Sequence, residues 1–269
     1  MSDRIISLAP ATAPELDPPS LVSCAAKAGY SHVGLRLIQG VPAAQTLVGP
    51  DTAMVKEIGR RLALEGISAF DIEVVRVDGV TDVAACRASL EAGARLGARH
   101  LVVIADAPDP ARARDDYAQL CELAEGYGLS VDIEPVPYYR TGTIAAAREL
   151  IREAGVRNGG ILPDPIHFDR AGEALSELSS IPGELLHYMQ LCDAPAARPD
   201  SADELMRQAR QERLFPGEGG LDLLSFLRAL PADLPISVEV PKVALAASVG
   251  AVDRARMALE GVRAVLAQV

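Results

Sequence analysis

Positive charge is scarce in this chain: 26 lysines and arginines face 37 aspartates and glutamates, giving a net charge of −11. That balance excludes bulk binding to nucleic acid or to an anionic membrane, since both need a basic surface. A small phosphorylated substrate gripped by a few arginines is still allowed. Cysteine is sparse too. Cys24, Cys86, Cys121 and Cys192 are scattered and form no C-x-x-C pair, which argues against a disulfide framework. Buried free thiols in a reducing compartment are the expectation. There is no apolar run long enough to span a bilayer, and Met1-Ser2-Asp3-Arg4 leads directly into a strand-like segment without a signal peptide. A cytoplasmic location follows as the default. No Gly-rich phosphate loop follows the first strand, which weakens a dinucleotide-binding sheet. No linker or low-complexity tract divides the chain, so one domain over residues 1–269 is expected.

What is present is an ordinary globular balance, 49 % apolar and 23 % charged, with enough length to bury a sizeable core. Apolar strand-like runs alternate with amphipathic helical spacing from end to end. Strands are predicted at 5–9, 32–37, 67–77, 100–105, 129–134, 160–163, 186–191 and 235–240. Helices are predicted between them, the first three closing near Gly29, Gly66 and Leu96 and another at Gly128; a Pro/Gly-rich loop fills the stretch after Leu37. Apolar strands between helices imply parallel strands buried on both faces. Eight such units predict an α/β fold of the (β/α)₈ TIM-barrel kind, with a doubly wound open sheet as the competitor.

In such barrels the active site lies at the C-terminal ends of the strands. Glu134 ends the fifth strand, Asp164 the sixth and Glu239 the eighth, while the seventh offers Gln190 and Asp193. Asp164 and His167 are three residues apart where a strand gives way to a helix, so both can turn toward one point. Three carboxylates converging on one mouth repel unless a cation neutralises them. A divalent ion taking oxygen ligands answers this: Mg²⁺, Mn²⁺, Co²⁺ or Zn²⁺. Taken singly, each acid is equally well explained as a helix cap or an ion-pair partner.

Glu134, the run Asp164-x-x-His167-x-x-Arg170-x-Gly172, the segment from Gln190 to Asp193, the segment from Arg213 to Gly219, and Ser237-Val238-Glu239 stand in order through the second half of the chain. In this pattern the chain resembles the xylose-isomerase-like TIM-barrel superfamily of sugar (phosphate) isomerases and epimerases. The resemblance implies metal ligation by Glu134, Asp164, Gln190 and Glu239, and His167 as a substrate contact. Several members carry histidine where this chain has Gln190, which makes the site harder and less suited to zinc.

The activity this implies is isomerisation or epimerisation of a small polyhydroxy carbonyl compound, with Glu134 and Glu239 as an acid–base pair on opposite sides of the metal. The runner-up is loss of water from the same enolate, as in an inosose or dehydroshikimate dehydratase. A DNA-repair endonuclease of the same superfamily needs many histidines and a basic surface; this chain has four histidines. A barrel that binds a polyol without turning it over is the non-enzymatic alternative. Arg213 is a candidate substrate contact. Arg36 and Glu73 stand evenly between lining the mouth and forming a structural pair, whereas Asp71 is expected in a structural ion-pair network. His32, His100 and His187 begin strands and are expected to be structural. Whether the chain forms a homo-oligomer stays open.

Overall fold

A computed structural model of the protein describes residues 4–39 and 46–269. The expected loop over residues 40–45 and the N-terminal residues 1–3 lie outside the described residues. The elements, in chain order, are β1 (Ile6–Leu8), α1 (Pro18–Ala28), β2 (His32–Arg36), β3 (Ile38–Gln39), β4 (Thr46–Leu47), α2 (Ala53–Glu65), β5 (Ser68–Val77), α3 (Arg87–Leu96), β6 (His100–Ala105), α4 (Pro110–Glu125), β7 (Ser130–Ile133), α5 (Ile144–Ala154), β8 (Gly159–Ile161), α6 (Pro165–Ala171), α7 (Leu175–Ser179), β9 (Met189–Leu191), α8 (Ala202–Gln211), α9 (Leu223–Arg228), β10 (Ile236–Val238) and α10 (Ala251–Leu266). Eight strands form one parallel sheet in the order β8-β7-β6-β5-β2-β1-β10-β9. The sheet curls until its two edges meet: the Gln190 N–H on β9 donates to the Pro163 carbonyl just beyond β8 at 2.9 Å. The (β/α)₈ barrel is therefore the fold. The short β3–β4 antiparallel ribbon is an addition to it.

Alternation along the strands divides the apolar residues in two. Leu35, Leu101, Val103, Val131, Ile133 and their counterparts pack outward against the helices in one large core. The barrel interior holds a much smaller apolar group of Phe70, Val102, Leu162 and Tyr188. The rest of the interior is polar, and that matters for function.

The two edge strands are shorter than the sequence predicts. A short 3-10 turn at Gly183–Leu185 delays β9 to Met189, and β8 gives way before Asp164 caps α6. The helix expected from there to about residue 178 is divided: Gly172 adopts φ 71°, a left-handed conformation that suits glycine and stops α6.

At the N-terminal end of the barrel, Asp132 is fully buried and lies beside Gly160 in the β7–β8 register. Its carboxylate accepts from His187 at 2.6 Å and from Ser130 at 2.6 Å, and His100 stands 3.6 Å away. A Cβ at Gly160 would sit 2.1 Å from Asp132 Oδ1, so only glycine admits this bond across β8. The histidines expected to be structural are so placed, with the ring of Phe70 between His32 and His100.

Candidate active site

The C-terminal mouth of the barrel holds a cavity of ≈ 300 Å³ bordered by Arg36, Glu73, Glu134, His167, Gln190 and Glu239, among others. Each side chain arrives by a simple local device. Glu134 follows β7, and its N–H donates to Val103 O on β6 at 2.9 Å. Asp164 is the N-cap of α6, taking the Ile166 N–H at 2.9 Å, and one turn later His167 is carried to the same spot. Gln190 is on β9 itself, in register with Ser237 of β10, and Glu239 follows that strand.

Arg213 lies among the acids. It is 3 % exposed, its Nη1 donates to Asp164 Oδ2 at 2.6 Å, and the same nitrogen is 3.0 Å from Glu239 Oε2. Nε donates to the Ala209 carbonyl at 2.7 Å, and Nη2 is 3.4 Å from His167 Nε2. His167 Nε2 is in turn 3.5 Å from Glu134 Oε1. One guanidinium thus contacts two carboxylates, while the ion-pair-distance neighbour of Glu134 is the imidazole of His167.

Burial and mutual repulsion set the charges. Burial, then the charges of Glu239 and Asp164, push the Glu134 carboxyl well above its usual range. Glu239 is pushed up to about 7, chiefly by burial against the opposing pull of Arg213. At Asp164 burial acts the same way, but Arg213 and then His167 outweigh it and hold the group below its usual value. Burial brings His167 down to about 4, so its ring is neutral near pH 7.

Three buried oxygens in this cluster make no hydrogen bond: Gln190 Oε1, Glu134 Oε1, and Glu239 Oε2, which Arg213 meets only as an ion-pair contact. Buried polar atoms are rarely left so, because each forfeits its hydration without compensation. Glu134, Asp164 and His167 also each offer a ligand atom, all within 4.8 Å of one another. Hard oxygen donors with one amide carbonyl among them suit a divalent cation.

The remaining candidates differ in placement. Arg36 and Glu73 are paired, Arg36 Nε donating to Glu73 Oε1 at 3.0 Å, and they border the cavity as a pair. Asp71 departs from expectation. It has no ion pair among the described residues; it is 2 % exposed, and its Oδ1 packs against the bare Cα of Gly34 without a hydrogen bond. Burial pushes its carboxyl well up, because the barrel interior brings no cation to it. Asp193 is spent on structure: its carboxylate accepts from the N–H groups of Gly217, Gly219 and Leu221 and so shapes the loop after Arg213. Reading the sequence alone missed Arg210 and Asp132, which come from a helix and a strand interior with no motif to mark them.

A 143-residue stretch is 34 % identical to a 3-dehydroshikimate dehydratase of Pseudomonas aeruginosa, covering 51 % of this chain and 22 % of that protein. A stretch of 118 residues is 26 % identical to an inosose isomerase of Bacillus subtilis, covering 43 % of this chain and 40 % of that one. The chain therefore matches less than half the length of either curated relative. Among solved structures, the IOLI protein with a bound zinc atom superposes with a TM-score of 0.79 at 17 % identity, over 98 % of both chains. The family model for the xylose isomerase-like TIM barrel matches residues 22–267, nearly the full barrel traced above, and the chain belongs to that family.

Proposed function

We propose that the chain is a divalent-metal-dependent enzyme that removes a proton α to a carbonyl in a small polyhydroxy carbonyl compound. The observation that carries this reading is the convergence of buried oxygens from Glu134, Gln190 and Glu239 that make no hydrogen bond, with one guanidinium contact, to Glu239, among them. Glu134, Asp164, Gln190 and Glu239 would hold the ion. When bound, a divalent ion supplies Lewis acidity that eases removal of the α proton and makes the protein more stable.

The chain's own residues do the rest. Glu239 takes the α proton on one side of the cavity. Glu134, with His167 3.5 Å away, gives a proton on the other. His167 hydrogen-bonds the enolate oxygen, and Arg213 keeps Asp164 ionised and oriented. Two outcomes share this start: return of the proton to carbon, which epimerises, or loss of a β-hydroxyl as water. We favour dehydration. The two glutamates have unlike neighbours, a guanidinium and a neutral imidazole, which suits one base and one differently placed acid. The dehydratase of P. aeruginosa is also a more similar sequence than the inosose isomerase.

The test is a panel of dehydroshikimate, inososes and ketoses in D₂O with Mn²⁺, Mg²⁺, Co²⁺ or Zn²⁺, watched by NMR. Loss of water from dehydroshikimate is expected; deuterium entering an epimerised carbon instead would select the isomerase reading. Glu239→Gln keeps size and one carbonyl oxygen but cannot take a proton as a carboxylate does. Turnover should fall roughly 10²–10⁴-fold. A folded, metal-loaded Glu239→Gln protein working at the wild-type rate would sink the assignment.

A further inference from the structure

Two arginines converge on one tyrosine at the cavity, Arg210 lining it and Arg76 reaching that tyrosine from outside the lining, and neither forms an ion pair among the described residues. Arg76 comes from the end of β5 and Arg210 from the last turn of α8. Both guanidiniums donate to one atom, the hydroxyl of Tyr139 in the loop after β7, Arg210 at 2.6 Å. Arg76 also lies over the Tyr139 ring, 4.4 Å from its centroid. Tyr139 and Arg210 border the cavity together with the acidic cluster. The charge of Arg210 is felt at His167 and at Tyr138, so it reaches the site.

A phenol oxygen is a neutral acceptor and does not compensate two cations. Like charges held at one point raise each other's energy, and the ligand that relieves them is an anion. Guanidinium presents paired N–H donors in a plane, which matches a carboxylate or phosphate with two oxygens at once. In a chain carrying −11 overall, two unmatched guanidiniums beside a cavity are poorly explained by solubility.

We propose that Arg76, Tyr139 and Arg210 form an anion subsite, and that the substrate is a polyhydroxy carbonyl compound bearing a carboxylate or a phosphate. The acidic floor places the reacting carbons and the cationic flank places the anionic group. This deepens the proposed function and rests on it for where the reaction occurs. It excludes neutral inososes and unmodified ketoses as preferred substrates.

Calorimetric titration of the metal-loaded full chain tests it with pairs that differ only in charge: shikimate against its methyl ester, and glucose 6-phosphate against glucose. One anionic member should bind roughly ten- to a hundredfold tighter than its neutral partner. Preference within the first pair identifies a carboxylate, within the second a phosphate. Arg76→Gln and Arg210→Gln should each remove most of that preference, with melting curves confirming folded protein. Equal binding within both pairs overturns the subsite without recourse to any variant. So does a preference that survives in both variants. The two ideas fail separately. A charge preference lost in the variants, alongside a Glu239→Gln protein of normal activity, supports the subsite and rejects the proton-transfer assignment. The reverse result rejects only the subsite.

Discussion

At the scale of the residue, Arg213 holds the mouth together. Its charge sits between Asp164 and Glu239 and is fully removed from water. Replacing a partner in such a buried pair leaves unmatched charge, which costs about 3–5 kcal/mol. Arg213→Met should therefore lower the melting temperature markedly in EDTA. Added Mn²⁺ should recover part of the loss, because a second cation then faces the same oxygens. Equal destabilisation with and without metal would show that Arg213 matters only for packing. A second residue-scale prediction concerns Gly160→Ala, whose methyl would meet Asp132 Oδ1 at 2.1 Å. Overpacking of this kind costs about 1–3 kcal/mol, measurable by urea unfolding. An unchanged midpoint would mean that the Asp132–His187 bond yields freely.

At the scale of the element, the histidines under the barrel make stability depend on pH. The hydrogen bond that His187 donates to Asp132 raises the pKa of His187 above its ordinary 6.5. A raised histidine contributes stability that is fully present below its unfolded value and is lost as pH rises through its folded value. The stability gap between wild type and His187→Gln should thus be larger at pH 6 than at pH 9. Asp132 behaves oppositely: burial opposes its ionisation, yet bonds with His100 and His187 bring it from 3.8 to about 2. That shift is worth about 2 kcal/mol, present above pH 4 and lost as pH falls toward 2. Equilibrium unfolding of both proteins across pH checks the two limbs, and a gap that is flat with pH would remove the account. The loop after Arg213 carries another prediction. Asp193→Ala strips the acceptor from four N–H groups, three of them in the loop, so cleavage by added protease should appear within residues 215–221 while the barrel stays folded.

Much of this organisation was legible in the chain because a buried parallel strand announces itself by a run of apolar residues. Glu134, Asp164 and Glu239 stood out as acids directly after such runs. Asp132 did not, because alternation hides an inward polar residue inside an apolar strand, and its partner His187 is 55 residues away. Sequence puts Asp71 in an ion pair because a strand acid usually finds one; whether a cation reaches it is decided by the interior, not by spacing. Arg76, Tyr139 and Arg210 lie 63 and 71 residues apart across their two bonds, and only the closed barrel brings them together. The break at Gly172 was visible as a residue, though not as a boundary between two helices.

At the scale of the whole molecule, no helix among the described residues is long and apolar enough to cross a membrane, and the barrel's joins decide how it holds its shape. Ligand that binds only the folded chain adds stability by mass action, about 2.7 kcal/mol at a hundredfold excess over Kd. Chelation should therefore lower the melting temperature, and an unchanged value after stripping a protein shown to contain metal would contradict the proposed ligands. The first strand and the last lie side by side within the sheet, so the join falls elsewhere, between β8 and β9. Asp164 and Gln190 stand on its two banks at the mouth, and the bond from Asp132 to His187 passes over β8 at the base. With the proposed ion held by Asp164 and Gln190, the barrel would be like a hoop whose overlap is riveted at both rims: a proton-bearing rivet below, a ligand-borne one above. Occupancy of the candidate site would then act as a fastener for the scaffold, and the Gln190 amide should exchange its hydrogen fastest when the upper rivet is missing.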